Sequence, residues 1–373
     1  MKKLTIAIIF GGRSGEHEIS LLSARSVIEN INPDLYEIVE IGITSEGKWL
    51  VGNNVLEAME QNQVQHLIPV CVLPEPGDNF LYTRETRDDH SILKPYCKVD
   101  VFFPVLHGTF GEDGTIQGIF EMKEIAYVGA GVLGSAAGMD KAVFKQVMRA
   151  NNIPVLDDII INRKEIQAHL EEVLDRCEKL GSYPLFTKPA NMGSSVGINK
   201  CNNRQQLISG LQEAALYDRR IMVEIGLNKP MEIEISILGN EFPEASLPGE
   251  IVPGDEFYSY DDKYINGISS AVIPAELPVG MLDTVRQIAL RAYQAIDCAG
   301  LARVDFLVSQ DGQKLYLNEI NTLPGFTKIS MYPKLWSASG LSYKNLIDRL
   351  IELALDRQHE RISSVHQYQR KNA

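Results

Sequence analysis

The chain has 373 residues, 45% of them hydrophobic and 23% charged, and a formal net charge of −13 at pH 7. That length predicts about two or three domains rather than one core. The acidic balance excludes a nucleic-acid surface, which needs a basic face, but leaves room for a nucleotide in a local basic pocket.

The five cysteines are odd in number, widely spaced and without CxxC or Cys/His spacing. They read as buried thiols of a reducing cytosol, not as a disulfide framework or zinc site. No run approaches the roughly 20 apolar residues of a membrane span. The opening MKKLTIAIIFGG passes straight into GGRSGEHE without a small-residue cleavage site. A cytoplasmic protein with no membrane partner is expected.

Leu4 to Phe10 reads as a buried parallel-type strand, followed by a Gly-rich turn, a helix from about Ile19 to Ile31 and a second strand, YEIVEIGIT. This opening is Rossmann-like, but GGxxGE is not GxGxxG, and no dinucleotide site is expected. Residues 53–98 show a weak, loop-rich pattern. VDVFFPVLH (99–107) is another buried strand ending in HGTFGEDGTIQG, and AYVGAG closes the first α/β unit near residue 132. MDKAVFKQVMRANNIPV predicts a helix and a turn, and DDIIINR leads into a second helix through Leu180. YPLFTKPANMGSSVGINKC reads as strand, Gly/Ser loop and strand, RRIMVEIGL as a strand entering a change of segment near Glu224, and MEIEISILG alternates as a strand should. Residues 250–270 are long, polar and rich in Tyr and Asp, the pattern of a functional loop. LDTVRQIALRAYQAID is an amphipathic helix, SYKNLIDRLIELALDRQ a final one, and the polar tail is expected to fray.

LARVDFLV and KLYLNEIN flank SQDGQ, whose Asp311-Gly312 is a hairpin signal. Side chains alternate along a strand. Leu301, Arg303, Asp305 and Leu307 therefore share one face of the first strand, and Leu315, Leu317, Glu319 and Asn321 one face of the second. An odd-length loop centred on Gly312 sets Asp305 opposite Glu319 and Arg303 opposite Asn321; an even one turns the two sets apart. The odd loop is expected, because acids on otherwise apolar strands need a reason to be there. Asp305, Glu319 and Asn321 then offer hard oxygens to Mg²⁺, which usually keeps waters and substrate phosphates. The plain alternative is a hairpin with its charges in water.

Other residues gain meaning from position. KPANMGSSVG (188–197) can cradle phosphate oxygens with backbone N–H groups and supply Lys188 as a cation; it is not a Walker A loop. Lys141, at a helix start, is a second cation for the same phosphates or a solvated lysine. Glu16 sits where a first βα turn delivers residues to the ligand crevice, and suits a substrate ammonium or simply the helix dipole. His107 ends a strand at the same edge and has no role on local grounds. Glu224 and Glu232 flank the segment change and suit an adenine amine and a ribose hydroxyl. Tyr264, after Lys263 in FYSYDDKYINGISS, suits a lid that excludes water, or packs its own loop.

GGRSGEHEISLLSA, HGTFGEDGTIQG, KPANMGSSVG, DDKY, ARVDF and NEINTLPGFT stand in the order and approximate spacing of the D-alanine–D-alanine ligases. The chain resembles that family of the ATP-grasp superfamily along essentially its whole length; residues 53–98 carry no usable motif. The resemblance implies an α/β, ATP-grasp fold with an N-terminal Rossmann-like parallel-sheet domain. Its domains would be residues 1–132, a central ATP-grasp unit 133–223 and a C-terminal unit 224–373.

It also implies ATP and a pair of Mg²⁺ ions, replaceable by Mn²⁺, on Asp305, Glu319 and Asn321. Lys141, Lys188 and Ser195 would lie on the phosphates, and Glu224 and Glu232 on adenine and ribose. Glu16 would bind the first D-alanine's ammonium and form a trio with Ser194 and Tyr264. Arg303 and the backbone near Gly325 would stabilise developing negative charge. Lys263, Ser330 and Met331 would hold the second D-alanine, and His107 would lie near the first. The implied reaction joins two D-alanines through a D-alanyl phosphate, for peptidoglycan synthesis in a bacterial cytoplasm, by a homodimer. A D-alanine–D-lactate ligase, another ATP-grasp enzyme and a non-catalytic Rossmann-like binding protein are the competing readings. The last would leave the acid cluster and the Gly/Ser loop without a purpose.

Overall fold

The computed structural model describes residues 2–193, 195–252 and 270–365, and these form three sheets. The first contains β1 (Leu4–Gly11), β2 (Tyr36–Ile43), β3 (Trp49–Val51), β4 (Ile68–Val72), β5 (Phe80–Arg87), β6 (His90–Lys98), β7 (Val101–Pro104) and β8 (Ala126–Tyr127). Its order is β6-β5-β4-β3-β2-β1-β7-β8. Helices α1 (His17–Asn30), α2 (Val55–Glu60) and α3 (Thr115–Lys123) belong to the same stretch of chain.

The β2-β1-β7-β8 portion is parallel, as the Rossmann-like opening predicts. Ile6, Ile8 and Phe10 face one core, with α1, while Ala7 and Ile9 face another, with Phe102 and Phe120. Burial on both faces is why β1 reads as an unbroken apolar run rather than an alternation.

Residues 53–98 correct the sequence reading. They hold a helix and the strands β4 to β6, which continue from β3 as an antiparallel meander, in place of a loop-rich stretch. β6 is exposed or half-buried along its length, so no apolar face marks it. Backbone pairing and exposed ion pairs such as Lys94–Glu85 at 2.7 Å accompany the ladder. Its turn is Asp88-Asp89, with Asp88 at φ 46, not an Asn-Gly or Asp-Gly signal.

Next come α4 (Val132–Met139), α5 (Lys141–Ala150), β9 (Asp158–Asn162), α6 (Arg163–Ala168), α7 (Leu170–Leu180), β10 (Leu185–Pro189), β11 (Asn199–Cys201), α8 (Arg204–Tyr217) and β12 (Arg220–Ile225). The sheet runs β11-β10-β12-β9, antiparallel throughout, over a core shared with α7 and α8. The predicted second helix is two: α6 ends and α7 begins around His169, at φ −140.

The third sheet comprises β13 (Met231–Gly239), β14 (Glu244–Ala245), β15 (Gly249–Val252), β16 (Ser270–Val272), β17 (Gly300–Val308) and β18 (Leu315–Asn321). Its path is β16-β15-β13-β17-β18, with β14 beside β13. Helix α9 (Met281–Ala295) covers β13 and β17, α10 (Met331–Ala338) packs on β13, and α11 (Tyr343–Ile362) returns to β7, β8 and α1. The final helix thus closes the open face of the first sheet. Mixed α/β architecture with a parallel sheet in its N-terminal part is the class the sequence predicts.

The β17–β18 hairpin has the expected outcome by a different route. Val308 pairs with Leu315, so residues 309–314 form an even-length loop, not an odd one. Asp305 nevertheless faces Glu319, and Arg303 faces Asn321, because the ladder passes from Phe306↔Leu317 to Asp305↔Glu319 and skips Asn318. The bulge reverses the facing of the rest of the strand. Leu317 and Ile320 both enter the core, so Leu317 does not share a face with Glu319 as strict alternation predicts.

Candidate active site

A cavity of about 550 Å³ lies between the second and third sheets and is capped by the turns that follow β1 and β7. At one end are Glu224, at the end of β12, and Glu232, near the start of β13. Lys141, Lys188, Gly193 and Ser195 line the middle. Asp305, Glu319 and Asn321 form the floor beside Arg303, and Glu16, His107 and Gly325 line the far end. Residues distant in sequence are therefore gathered on one space. Ser330, the N-cap of α10, and Met331 are not in its lining; Met331 packs with Ile251 and Leu335. Ser194, Lys263 and Tyr264 lie outside the described residues.

Local structure explains each placement. Lys141 is the first residue of α5, whose N-cap Asp140 accepts the Val143 N–H at 3.0 Å. Its Nζ donates to the Met192 carbonyl at 2.7 Å and lies 3.9 Å from Glu319 Oε2. Burial pushes this ammonium below its ordinary pKa, Glu319 opposes that, and Lys188 adds to it. The ammonium is anchored to the Gly/Ser loop and faces the cavity rather than the outer surface.

Lys188 projects from β10 and pairs with Glu224. Burial alone would raise the Glu224 carboxyl, but Lys145 and Lys188 outweigh it and hold the pKa down at about 2. The carboxylate is therefore fixed as an acceptor.

Arg303 forks onto Asp305, with Nε to Oδ1 at 2.7 Å and Nη2 to Oδ2 at 2.6 Å. Its Nε also lies 3.0 Å from Glu234 Oε2. Burial disfavours the charge, but Asp305 and Glu234 more than compensate and hold the guanidinium well above its usual pKa. Asn321 donates to Asp305 Oδ2 at 3.0 Å.

Among the described residues no three Asp, Glu, His or Cys side chains form a closed metal cage. Two carboxylates and an amide are nonetheless a donor set that fits Mg²⁺, which takes one or two carboxylates plus phosphate oxygens and water.

The far end is built on close backbone approaches. A Cβ on Gly108 would lie 2.5 Å from Glu16 Oε2, and one on Gly193 would lie 2.6 Å from the same atom. These two glycines let the loop after β7 and the Gly/Ser loop close on Glu16. Ser14 Oγ donates to the His107 carbonyl at 2.7 Å and accepts the Glu16 N–H at 2.9 Å.

His107 Nδ1 lies 3.0 Å from the Leu323 carbonyl oxygen, which can only accept, so Nδ1 carries the proton. Nε2 then accepts from Ser23 Oγ at 3.0 Å, and Ser23 Oγ accepts the Phe326 N–H at 3.3 Å. Burial pushes the imidazole below its ordinary pKa although Glu16 opposes it. A neutral, oriented His107 thus ties the first sheet to the segment carrying Gly325.

Glu112, Glu234 and Lys145 belong to this constellation and were not singled out from the sequence. Glu112 accepts the Gly108 N–H at 2.7 Å and the Leu323 N–H at 3.2 Å, so the two peptide groups that flank Leu323 are each held, one by Glu112 and the next by His107. Glu234 lies two residues beyond Glu232 on β13, directly opposite Asp305. Lys145 lies one helical turn beyond Lys141. The period of two and the i, i+4 spacing were the signals available.

Two family models match this chain: "D-ala D-ala ligase N-terminus" over residues 5–130 and "D-ala D-ala ligase C-terminus" over residues 147–352. A D-alanine–D-alanine ligase of Heliobacterium modesticaldum is 46% identical over 361 residues, 97% of each chain. One from Ruminiclostridium cellulolyticum is 48% identical over 369 residues, 96% of each. Among solved structures, the D-alanine–D-alanine ligase of Coxiella burnetii superposes with a TM-score of 0.82 at 35% identity, covering 97% of both chains. The VanG D-Ala:D-Ser ligase of Enterococcus faecalis also gives 0.82, at 34% identity, covering 95% of this chain and all of its own.

The environment of Glu112 generates a stability prediction. Burial first, and the neighbouring Glu16 second, push its carboxyl from 4.5 up to about 8. Between those values the folded chain keeps a proton that the unfolded chain has released, so the free energy of unfolding falls as pH rises across that window. Denaturant titrations at several pH values should show this decline in the natural protein and a flatter profile in Glu112→Gln. Parallel profiles for the two proteins would contradict the raised pKa.

Proposed function

The chain belongs to the D-alanine–D-alanine ligase family, and from that premise we propose that it condenses two D-alanines, using ATP, to D-alanyl-D-alanine, ADP and phosphate. The observation that carries the reading is one cavity lined by two lysines, the Asp305–Glu319–Asn321 set, Arg303 and the Glu16 corner. In this reading residues 1–132, 133–223 and 224–373 act as three domains, with ATP between the second and third. Glu224 and Glu232 receive adenine and ribose, and Lys141, Lys188 and Ser195 receive the phosphates. Because ATP is the energy source and the dipeptide a peptidoglycan precursor, the proposed setting is the cytoplasm.

A free carboxylate is a poor electrophile. The γ-phosphoryl group is therefore transferred to the carboxylate of the first D-alanine, whose ammonium is held by Glu16, and one carboxyl oxygen becomes the bridge of a D-alanyl phosphate. The amine of the second D-alanine then attacks the acyl carbon, and the C–O bond to phosphate breaks as the peptide bond forms. Mg²⁺ on Asp305, Glu319 and Asn321 would neutralise phosphate charge. The lysines hold the transferring group in line, and catalysis is chiefly positioning and electrostatics. Arg303, held above the floor by Asp305 and Glu234, faces the same space and stabilises the negative oxygens of both steps, together with the backbone near Gly325. His107 holds the Leu323 carbonyl and Glu112 the Leu323 N–H, and together they fix where that backbone lies.

The similarity to a D-Ala:D-Ser ligase makes the second substrate the point to test. Phosphate release from MgATP should require D-alanine and not L-alanine, and mass spectrometry should identify D-alanyl-D-alanine even with D-serine or D-lactate present. Dominant D-alanyl-D-serine or a depsipeptide would move the chain to a different second substrate. Release with none of these would refute the reading. Glu319→Gln should raise the Mg²⁺ concentration needed for half-maximal rate about tenfold or more; an unchanged requirement would remove Glu319 from the metal site.

A further inference from the structure

Glu224 holds two ammonium groups at once, Lys188 on Oε1 and Lys145 on Oε2. The two lysines differ in position. Lys188 lines the cavity, whereas Lys145 lies behind Glu224, 1% exposed, and does not. Lys145 also donates to the Leu156 carbonyl at 3.3 Å and stands 4.0 Å from Asp158 Oδ1, and Asp158 is itself paired with Arg149.

Formal charges separate the two roles. Lys145 and Arg149 balance Glu224 and Asp158, so this group of four is neutral by itself. The charge of Lys188 is then surplus to it. Removing one partner from a buried carboxylate is costly when the carboxylate is left alone. Here Glu224 keeps Lys145 when Lys188 departs. The phosphates of a nucleotide seated between Lys141 and the Gly/Ser loop offer Lys188 new anionic partners.

We propose that Lys145 is a positioning residue that compensates Glu224 from behind, so that Lys188 can leave Glu224 for the phosphates of incoming ATP while Glu224 stays charged and in place for the base. This rests on the assignment of Lys188 to the phosphates and deepens that reading. Placing a second lysine one turn after Lys141 on α5 is what brings the hidden cation to the far side of the carboxylate.

The test compares KM for ATP, KM for D-alanine, kcat and thermal midpoint in the full chain and its variants. In Lys145→Met, Glu224 has only Lys188 and retains it, so KM for ATP should rise about tenfold or more with little change in KM for D-alanine. Lys145→Arg should stay near the natural protein. Glu224→Gln alone loses its contact to the base and sets its own KM for ATP; in that background the anion that traps Lys188 is gone, so adding Lys145→Met should raise KM little further, a non-additivity that a merely structural lysine would not produce. If Lys145→Met does not fold, Lys145→Gln carries the same comparison.

Lys188→Met separates the two levels of the proposal. If it weakens ATP binding while Lys145→Met raises KM for ATP by the same factor with Glu224 present or replaced by Gln, the role of Lys145 is overturned and the assignment of Lys188 stands. If Lys188→Met leaves KM for ATP unchanged, the assignment of Lys188 falls and the role of Lys145 falls with it.

Discussion

One unpaired residue, Asn318, decides on which side of β18 the acidic group lies. The even-length loop alone would continue the Val308↔Leu315 register, setting Glu319 opposite Val304 and Ile320 opposite Arg303. Glu319 would then enter an apolar core without a counter-charge, and Ile320 would face the cavity, both unfavourable placements. Skipping Asn318 exchanges the two. Leu317 and Ile320 stay in the core, and Glu319 and Asn321 join Asp305 and Arg303 on the cavity face. Every part of the proposed chemistry that involves phosphate charge depends on that exchange.

The cavity is also a place where charge is stored in pairs. Arg303 is neutralised by Asp305 and Glu234, Lys141 lies near Glu319, and Glu224 holds Lys145 and Lys188. Buried ion pairs contribute little to stability once desolvation is counted, so their presence here is better explained by readiness. An anionic substrate and its cations can exchange with these partners without leaving a charge stranded. The Glu16 end works differently. Two glycines bring backbone against the carboxylate, and His107 and Glu112 hold the two peptide groups that flank Leu323. Rigid backbone rather than mobile charge sets the geometry there.

Much of this was legible in the sequence because it rests on local pattern. The apolar run of β1, the alternation of β13 and the hairpin at Asp311-Gly312 announce their elements, and the ordered motifs contain several of the residues that line the cavity. Three things were not legible. The meander over residues 53–98 buries too little on either face to leave a periodic signal. The bulge at Asn318 has no marker of its own, so the right facing of Glu319 was reached through the wrong loop parity. Glu112 and Lys145 act through bonds to Leu323 and Glu224, which are close only after folding. No periodicity marks Glu112, and the i, i+4 spacing of Lys145 from Lys141 shows a shared helix face but not the carboxylate that this face meets.

In the proposed reaction the first D-alanine is activated by transfer of a phosphoryl group to its carboxylate. Oxygen bookkeeping tests it directly. With D-alanine labelled with ¹⁸O in both carboxyl positions and unlabelled MgATP, each dipeptide formed should deliver one labelled oxygen to the released phosphate, read by mass spectrometry. Phosphate free of label, its new oxygen drawn from water, would contradict the acyl phosphate and with it the account of the cavity.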